Sequence, residues 1–351
     1  MSELTPPLSA EWPFVSVLIA ARNEEATLGD CLRSLAALDY PPDRLEVLIG
    51  NDGSTDGTAD IAAAFCNAHG QFLTVAIDAI AEAGGPPDGV YKTAPRLNGK
   101  ANVLAQLAEQ ARGEFLFITD ADVRVPSTWL TGLLGEFAPN IGIVTGTTLV
   151  RGRSLWARLQ AVDWLLAFGL IHVGTYLKWP LTGSGNNMAV RRAAYDAVGG
   201  FAGLPFSVVE DYTLFQAIVA RGYDFAHRLR PDVLAETLPT PTLTTYLQQR
   251  KRWMRGAFAL PLPLRGGVLF QYLLVPMLLA LALFVPQPAL LLYAGKLVWQ
   301  TGLLLWTLHR TRQRHRWPDA LLYEPYQVVL GTLSMLYYPW PVPIRWKGRV
   351  Y

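Results

Sequence analysis

Residues 268–285 run for 18 positions without a charged side chain, and residues 289–308 run for 20 with one, Lys296. Each run is long enough to cross a bilayer as a helix. A chain that carries such runs must bury them in a large core or in lipid, and the composition around them points to lipid. From Phe258 onward acids nearly vanish, leaving Asp319 and Glu324, while residues 1–257 read as an ordinary globular domain. The expected division is therefore 1–257 and 258–351. The sequence "HRTRQRHRW" follows the second run and marks a cytoplasmic flank by its arginines. A third segment, 320–342, contains Glu324 and Pro325, Pro339 and Pro341 and precedes "IRWKGRV". It can span, which leaves three positive residues outside, or it can dip in and return, which keeps both basic stretches inside and favours a re-entrant or interfacial hairpin.

Upstream, apolar runs alternate with helical patterns. "FVSVLIAA", "LEVLIGND", "FLTVAID" and "EFLFITD" read as strands. Between them lie "RNEEATLGDCLRSLAALDYPP", "GSTDGTADIAAAFCNAHG" and "KANVLAQLAEQARG", with apolar residues at helical spacing and Gly or Pro stops. This order predicts an α/β fold with a mainly parallel sheet. Ligands of such sheets sit beyond the carboxyl ends of the strands. The polar residues gather there: Arg22, Asn23 and Glu24 after the first strand, Asp52 after the second, Asp120 and Asp122 after a later one. "SLWARLQAVDWLLAFGLI" (154–171) forms a wide apolar helical stripe, either a core helix or one lying on a membrane surface. The loop at 83–99 is rich in Gly and Pro.

Two cysteines in 351 residues make no disulfide framework and no metal site. They fit a reducing compartment. The amino terminus lacks a basic start and an apolar core, so no cleavable leader is expected. No basic face with interleaved aromatics is visible, which argues against nucleic-acid binding.

The Asp-Ala-Asp at 120–122 closes an apolar strand. On an ideal strand the two carboxylates would point to opposite faces; at a strand end, where the chain turns, both can converge. Such a pair suits Mg²⁺ or Mn²⁺ beside phosphates, or Asp122 caps the following turn. In "NDGSTDGT" Asp52 can accept hydrogen bonds from a base or ribose, and Asp56 reads as a helix cap.

"VSVLIAARNEEATLGDCLRSL", "VLIGNDGSTDGTADIA", "NGKANVLAQLAEQARGEFLFITDADV", "TGSGNNMAVRRAAYDAVGGF", "VVEDYTLFQAIVARGY" and "QRKRW" occur in this order. Together they resemble the family 2 glycosyltransferases over about residues 14–255. Within these the chain is most similar to the membrane-anchored members: ceramide glucosyltransferases, processive polysaccharide synthases and bacterial lipid or carotenoid glycosyltransferases. The resemblance implies a GT-A domain, a Rossmann-like nucleotide-diphospho-sugar transferase fold, followed by transmembrane helices. It implies that Ala20, Arg22, Glu24 and Asp52 line the base and ribose pocket and that Lys100 lies near the nucleotide. The alternative is a solvated helix-start lysine. Asp120 would face ribose or metal, and Asp122 would bind the divalent cation. Asn187 in "GSGNNMAV" would face donor sugar or acceptor, or that stretch is only a Gly-rich turn.

The resemblance makes Asp211 the general base that takes the acceptor's proton, with Glu210 tuning it by like charge. Asp211 could also serve only to complement the dipole of the helix it opens. Gln249, Arg252 and Trp253 match the family's QxxRW motif. Arg252 and Gln249 would approach the diphosphate, Trp253 would stack on a sugar, and Lys251 and Arg255 would face the membrane. The implied reaction is a single inverting displacement from a nucleotide-sugar donor, a UDP-hexose. The expected acceptor is a membrane lipid, because the catalytic domain would sit in the cytoplasm against the inner (plasma) membrane. Two other readings stay open: a processive polysaccharide synthase, for which so few spanning segments offer poor channel walls, and a non-catalytic, membrane-tethered nucleotide-sugar binding protein.

Overall fold

A computed structural model describes residues 12–78, 99–181, 184–205, 207–258, 262–346 and 349–350. The loop expected at 83–99 lies, apart from Gly99, outside the described residues. The chain divides into two compact units. One comprises Met1–Gly146, Thr182–Arg228 and Asp232–Ala235; the other comprises Thr147–Leu181, Leu229–Pro231 and Glu236–Tyr351. The division does not coincide with the expected boundary at 257, because the helices 155–176 and 243–258 group with the carboxyl-terminal helices.

The first unit opens with β1 (Val15–Ala21), α1 (Leu28–Ala36), β2 (Leu45–Asn51), α2 (Thr58–Ala68) and β3 (Phe72–Val75). It continues with α3 (Gly99–Gln110), β4 (Phe115–Asp120), α4 (Trp129–Leu134) and β5 (Ile141–Gly146). After a short strand β6 (Thr148–Val150) and the long α5 (Leu155–Tyr176) of the second unit, the chain returns as β7 (Asn187–Arg191), α6 (Arg192–Ala197), α7 (Glu210–Ala220) and β8 (Asp224–Arg228). Seven strands form one sheet in the order β3-β2-β1-β4-β7-β5-β8. The pairs β1–β2, β1–β4, β2–β3 and β5–β8 are parallel, and β7 runs antiparallel to both β4 and β5.

Both faces of this sheet are buried, as the unbroken apolar runs of β1, β2 and β4 require. Alternate residues sort to opposite faces. Val15, Val17, Ile19, Val47, Ile49 and Phe117 pack with Leu28, Leu32 and Trp129 on one side. Leu18, Leu48, Leu116, Ile118, Met188 and Val190 pack with Val103, Leu107 and Phe215 on the other. Fully burying each such side chain stabilises the fold by about 1.5–3 kcal/mol before the entropy of ordering is counted.

In the second unit β9 (Ala235–Thr237), which begins on the last residue of the first, leads to α8 (Leu243–Phe258), α9 (Leu262–Ala282), α10 (Pro286–Arg310) and α11 (Trp317–Tyr337). The run 268–285 is not one helix: α9 stops at Ala282, and Pro286 opens α10. A residue before proline resists the helical conformation, and Val285 accordingly leaves it, with φ −138° and ψ 77°. Among the described residues one helix, Pro286–Arg310, is long and apolar enough to cross a membrane, and Leu273–Ala282 is a shorter apolar stretch.

The third segment lies largely within α11, a continuous 21-residue helix with Pro325 inside it. Its acid is neutralised sideways by α10. Lys296 forms an ion pair with Glu324, Gln300 Nε2 donates to Glu324 Oε2 at 2.8 Å, and Tyr293 Oη donates to Oε1 at 2.9 Å. The two charges that interrupt the apolar segments thus satisfy each other. The helix at 155–176 is a core helix of this unit, with Ala161, Val162 and Leu165 fully buried. Lys251, expected to face the membrane, is 5 % exposed. Its Nζ donates to the carbonyls of Trp340 and Val342 at 2.6 and 2.9 Å, so an ammonium with three donors is taken up by the proline-rich turn after α11.

Candidate active site

Register alone gathers the first-unit candidates. Ala20 pairs with Gly50 on one side and Asp120 on the other, so β1, β2 and β4 end level. Asp52 N–H donates to Ala21 O at 2.9 Å. Arg22 Nη1 donates to Asp52 O at 2.8 Å and lies 3.8 Å from its carboxylate. Asn23 adopts φ 53°, a left-handed conformation that asparagine tolerates better than most residues. Its side chain accepts from Thr55 N–H at 2.9 Å, which locks the first loop to the second.

Glu24 is held within the loop after β1. It is 6 % exposed, its Oε2 accepts from Thr27 Oγ1 at 2.8 Å and its N–H donates to Thr58 Oγ1 at 2.7 Å. These bonds brace the loop. Asp56 holds the start of α2 from one residue before the cap, accepting from Thr58 N–H at 3.1 Å and Glu25 N–H at 3.2 Å. Those bonds keep its carboxyl below the usual carboxylate range, the bond from the Thr58 hydroxyl first among them.

Lys100, at the start of α3, is central. Its Nζ lies 2.5 Å from Asp120 Oδ1 and 3.3 Å from Glu210 Oε1. Burial pulls the ammonium's pKa down, but the carboxylates of Asp120, Glu210 and Asp211 outweigh it and hold the group above the ordinary lysine range. The solvated reading of Lys100 is thus overturned. Asp120 and Asp122 flank a turn closed by Val123 N–H to Asp120 O at 3.1 Å. Beneath it the buried Cys31 thiol donates to Asp120 O at 3.6 Å. Burial, then the charges of Asp122 and Asp120, push that thiol's pKa far up.

Asp211 stands in the first turn of α7, where a carboxylate also complements the helix dipole. Its Oδ2 accepts from Gly185 N–H at 2.7 Å and its Oδ1 from Tyr212 N–H at 2.8 Å. A Cβ on Gly185 would lie 2.6 Å from Asp211 Cβ, so the glycine permits this approach. Antiparallel pairing of Thr119 with Asn187 brings the Gly185 loop beside the end of β4, and Thr119 Oγ1 donates to Asn186 O at 3.0 Å. Asn187 itself is fully buried. Its Oδ1 accepts from Trp129 Nε1 at 2.8 Å and its Nδ2 donates to Val233 O at 2.9 Å. Both ends of its amide are thus engaged in the core.

In the second unit Gln249, Arg252 and Trp253 lie half-buried on α8. Trp253 meets Trp164 edge-on at 5.4 Å, and the Arg250 guanidinium lies 4.8 Å from its ring centroid. Arg250 is paired with Asp163, whose Oδ1 accepts from Tyr323 Oη at 2.8 Å. Sequence reasoning passed over this pair. Asp163 is the one acid in the apolar stretch 154–171 and Arg250 stands one helical turn before Trp253, and both are legible signals.

A mainly parallel sheet whose carboxyl ends collect Asp52, Lys100, Asp120, Asp122 and Asp211 defines a nucleotide-sugar transferase domain of GT-A type. A mannosyltransferase from Pyrobaculum calidifontis, solved with GDP-Man and Mn²⁺, shares the fold, with TM-score 0.53 and 20% identity over 90% of this chain and 87% of that one. The model of glycosyl transferase family 21 matches residues 3–351, and the chain belongs to that family. It is 28% identical to a beta-monoglucosyldiacylglycerol synthase of Synechocystis over 73% of this chain and 51% of the relative. It is 27% identical to a poly-beta-1,6-N-acetyl-D-glucosamine synthase of Staphylococcus epidermidis over 69% of this chain and 54% of the relative. The chain thus spans about half the length of these curated relatives.

Proposed function

We propose that the chain is an inverting glycosyltransferase that moves a hexose from a UDP-sugar to a membrane lipid. The observation that carries this is the joining of two motifs through one lysine: Lys100 ties Asp120 of the DAD turn to Glu210 of the ED pair, next to Asp211. A lipid acceptor is supported by the family and by the similarity to a glucolipid synthase. A membrane location is supported by α10, which we read as crossing the inner membrane with α9 and α11 beside it. If α9 crosses in the opposite direction, the arginines after α10 support a cytoplasmic catalytic unit.

Asp120 and Asp122 fit a divalent cation. Both are hard oxygen donors, and no third Asp, Glu, His or Cys joins them among the described residues. That set suits Mg²⁺ or Mn²⁺, which keep waters and take further ligands from phosphates. When bound, such an ion supplies neutralisation of the diphosphate charge. The chain's own residues do the rest. Asp52 and Arg22 hold the nucleoside end of the donor. The resemblance assigns Arg252, with Gln249, to the departing diphosphate, which the planar fork of a guanidinium suits. Asp211 takes the proton from the acceptor hydroxyl as that oxygen attacks the anomeric carbon. Its lone pairs are aimed by the Gly185 and Tyr212 N–H groups. Trp253 supports a sugar ring on its face, in the orientation set by Trp164 and Arg250.

Purified protein in nanodiscs, offered UDP- and GDP-sugars with Mg²⁺ or Mn²⁺ and a total lipid extract, tests this. We expect release of UDP from one donor, abolished by EDTA, with the sugar recovered in the lipid phase. Turnover that ignores the lipid extract would contradict the lipid acceptor, and tight UDP binding without turnover would favour a silent binding protein.

A further inference from the structure

Two concavities follow each other along α10. The first is a shallow, open apolar depression of about 350 Å³ lined by Val173, Val298, Trp299, Gly302, Leu303 and Trp306. The second, at the end of the same helix, is a basic pocket of about 530 Å³ lined by His309, Arg310, Arg312, Arg314 and His315. Trp306 joins them: its ring lines the depression, and the Arg310 guanidinium lies 5.9 Å over it. The apolar segment covers about 12 Å of helix, and Arg310 follows about 6 Å later. Gly302 is the notch of the depression, since a Cβ there would meet nothing within 4 Å.

The basic pocket is built rather than strewn. Arg312 turns the chain in a left-handed conformation, φ 58°. Gln313 N–H closes that turn onto Leu308 O at 2.7 Å, and Arg314 Nη2 lies 3.3 Å from His309 Nε2. Among the described residues none of the five cationic or imidazole side chains has an acidic partner. An apolar depression that ends in unneutralised arginines matches one molecule end to end: an acyl chain continuous with an anionic head group.

We propose that this face binds an anionic phospholipid, its acyl chain along Val298–Trp306 and its phosphate on Arg310, Arg312 and Arg314. The inference rests on α10 crossing the bilayer. It adds a lipid site outside the residues assigned to transfer, so the bound lipid is a fixed companion of the enzyme and not its acceptor.

The test uses the full chain in phosphatidylcholine nanodiscs doped with phosphatidylglycerol or phosphatidylcholine brominated on the acyl chain, reading tryptophan quenching. Brominated phosphatidylglycerol should quench at a mole fraction at least tenfold below that of brominated phosphatidylcholine. Each arginine neutralised in Arg312→Gln and Arg314→Gln should weaken that preference by about fivefold. Gly302→Leu fills the notch without a clash and raises helix propensity; it should weaken quenching several-fold with unchanged thermal stability. Equal quenching by both lipids would overturn the site. So would a Gly302→Leu variant that quenches like wild type, because the arginines would then act only as a diffuse flank. Displacement by UDP or inorganic phosphate would assign the pocket to a soluble anion instead. A chain that does not enter nanodiscs at all, seen by size exclusion before any titration, would end the membrane reading and this proposal together.

Discussion

The ammonium of Lys100 lies 2.5 Å from Asp120 Oδ1 and 3.3 Å from Glu210 Oε1, joining residues 90 positions apart in the chain. It is the only cation the structure sets between these two acids among the described residues, and its side chain is 22% exposed.

Replacing it exposes two half-buried carboxylates to each other. Lys100→Met should cost about 2 kcal/mol of stability and most of the activity. The pH dependence has a defined sign. A pKa raised on folding gives stability that is complete below about pH 10.4, the ordinary lysine value, and is lost as pH rises through the folded value. The gap in melting temperature between wild type and Lys100→Met should therefore be flat from pH 7 to 10 and close only above that. A gap that narrows near neutrality would contradict the pairing.

Gly185 has no room for a side chain. In Gly185→Ala the new methyl would lie 2.6 Å from Asp211 Cβ and 2.8 Å from Oδ2, so the loop or the acid must move. We expect a stability loss of about 1–3 kcal/mol and a larger fall in kcat than in donor affinity. Retention of full kcat would show that the position of Asp211 is not set by this contact.

The two thiols should differ in reactivity. Cys31 is buried under the Asp120 turn and its pKa is pushed far up by burial and by the two aspartates; Cys66 is partly exposed and raised by burial alone. Since the thiolate is the nucleophile, iodoacetamide at pH 8 should modify Cys66 slowly and Cys31 only after unfolding. Mass spectrometry of the native protein reads this directly, and early labelling of Cys31 would contradict the packing beneath the site.

Much of the first unit was legible because its strands are buried on both faces and announce themselves as apolar runs that end in polar residues. Asp120, Asp122 and Asp52 could be placed at strand ends from that pattern alone, whereas Lys100 was reached only through the family resemblance. Asn187 could not: its amide is consumed by Trp129, 58 positions earlier, and by Val233, 46 later, and no local pattern encodes such distant partners. The same holds for Glu24, whose fate depends on Thr58, and for Lys251, whose fate depends on the carbonyls of a turn 89 and 91 residues away. In the third apolar segment a glutamate and a proline interrupt the apolar pattern. Lys296 on α10 removes the cost of the first, and a long helix absorbs the second.

The central claim is that Asp211 removes the acceptor's proton. Asp211→Asn keeps the shape and the acceptor oxygen that receives the Gly185 N–H, and removes the base. The measurement is lipid glycosylation in nanodiscs beside UDP-sugar affinity for wild type and variant. We predict a loss of about 10²- to 10⁴-fold in kcat, with donor affinity and melting temperature nearly unchanged. A variant that transfers sugar within a few-fold of wild type would contradict the assignment and move the base elsewhere.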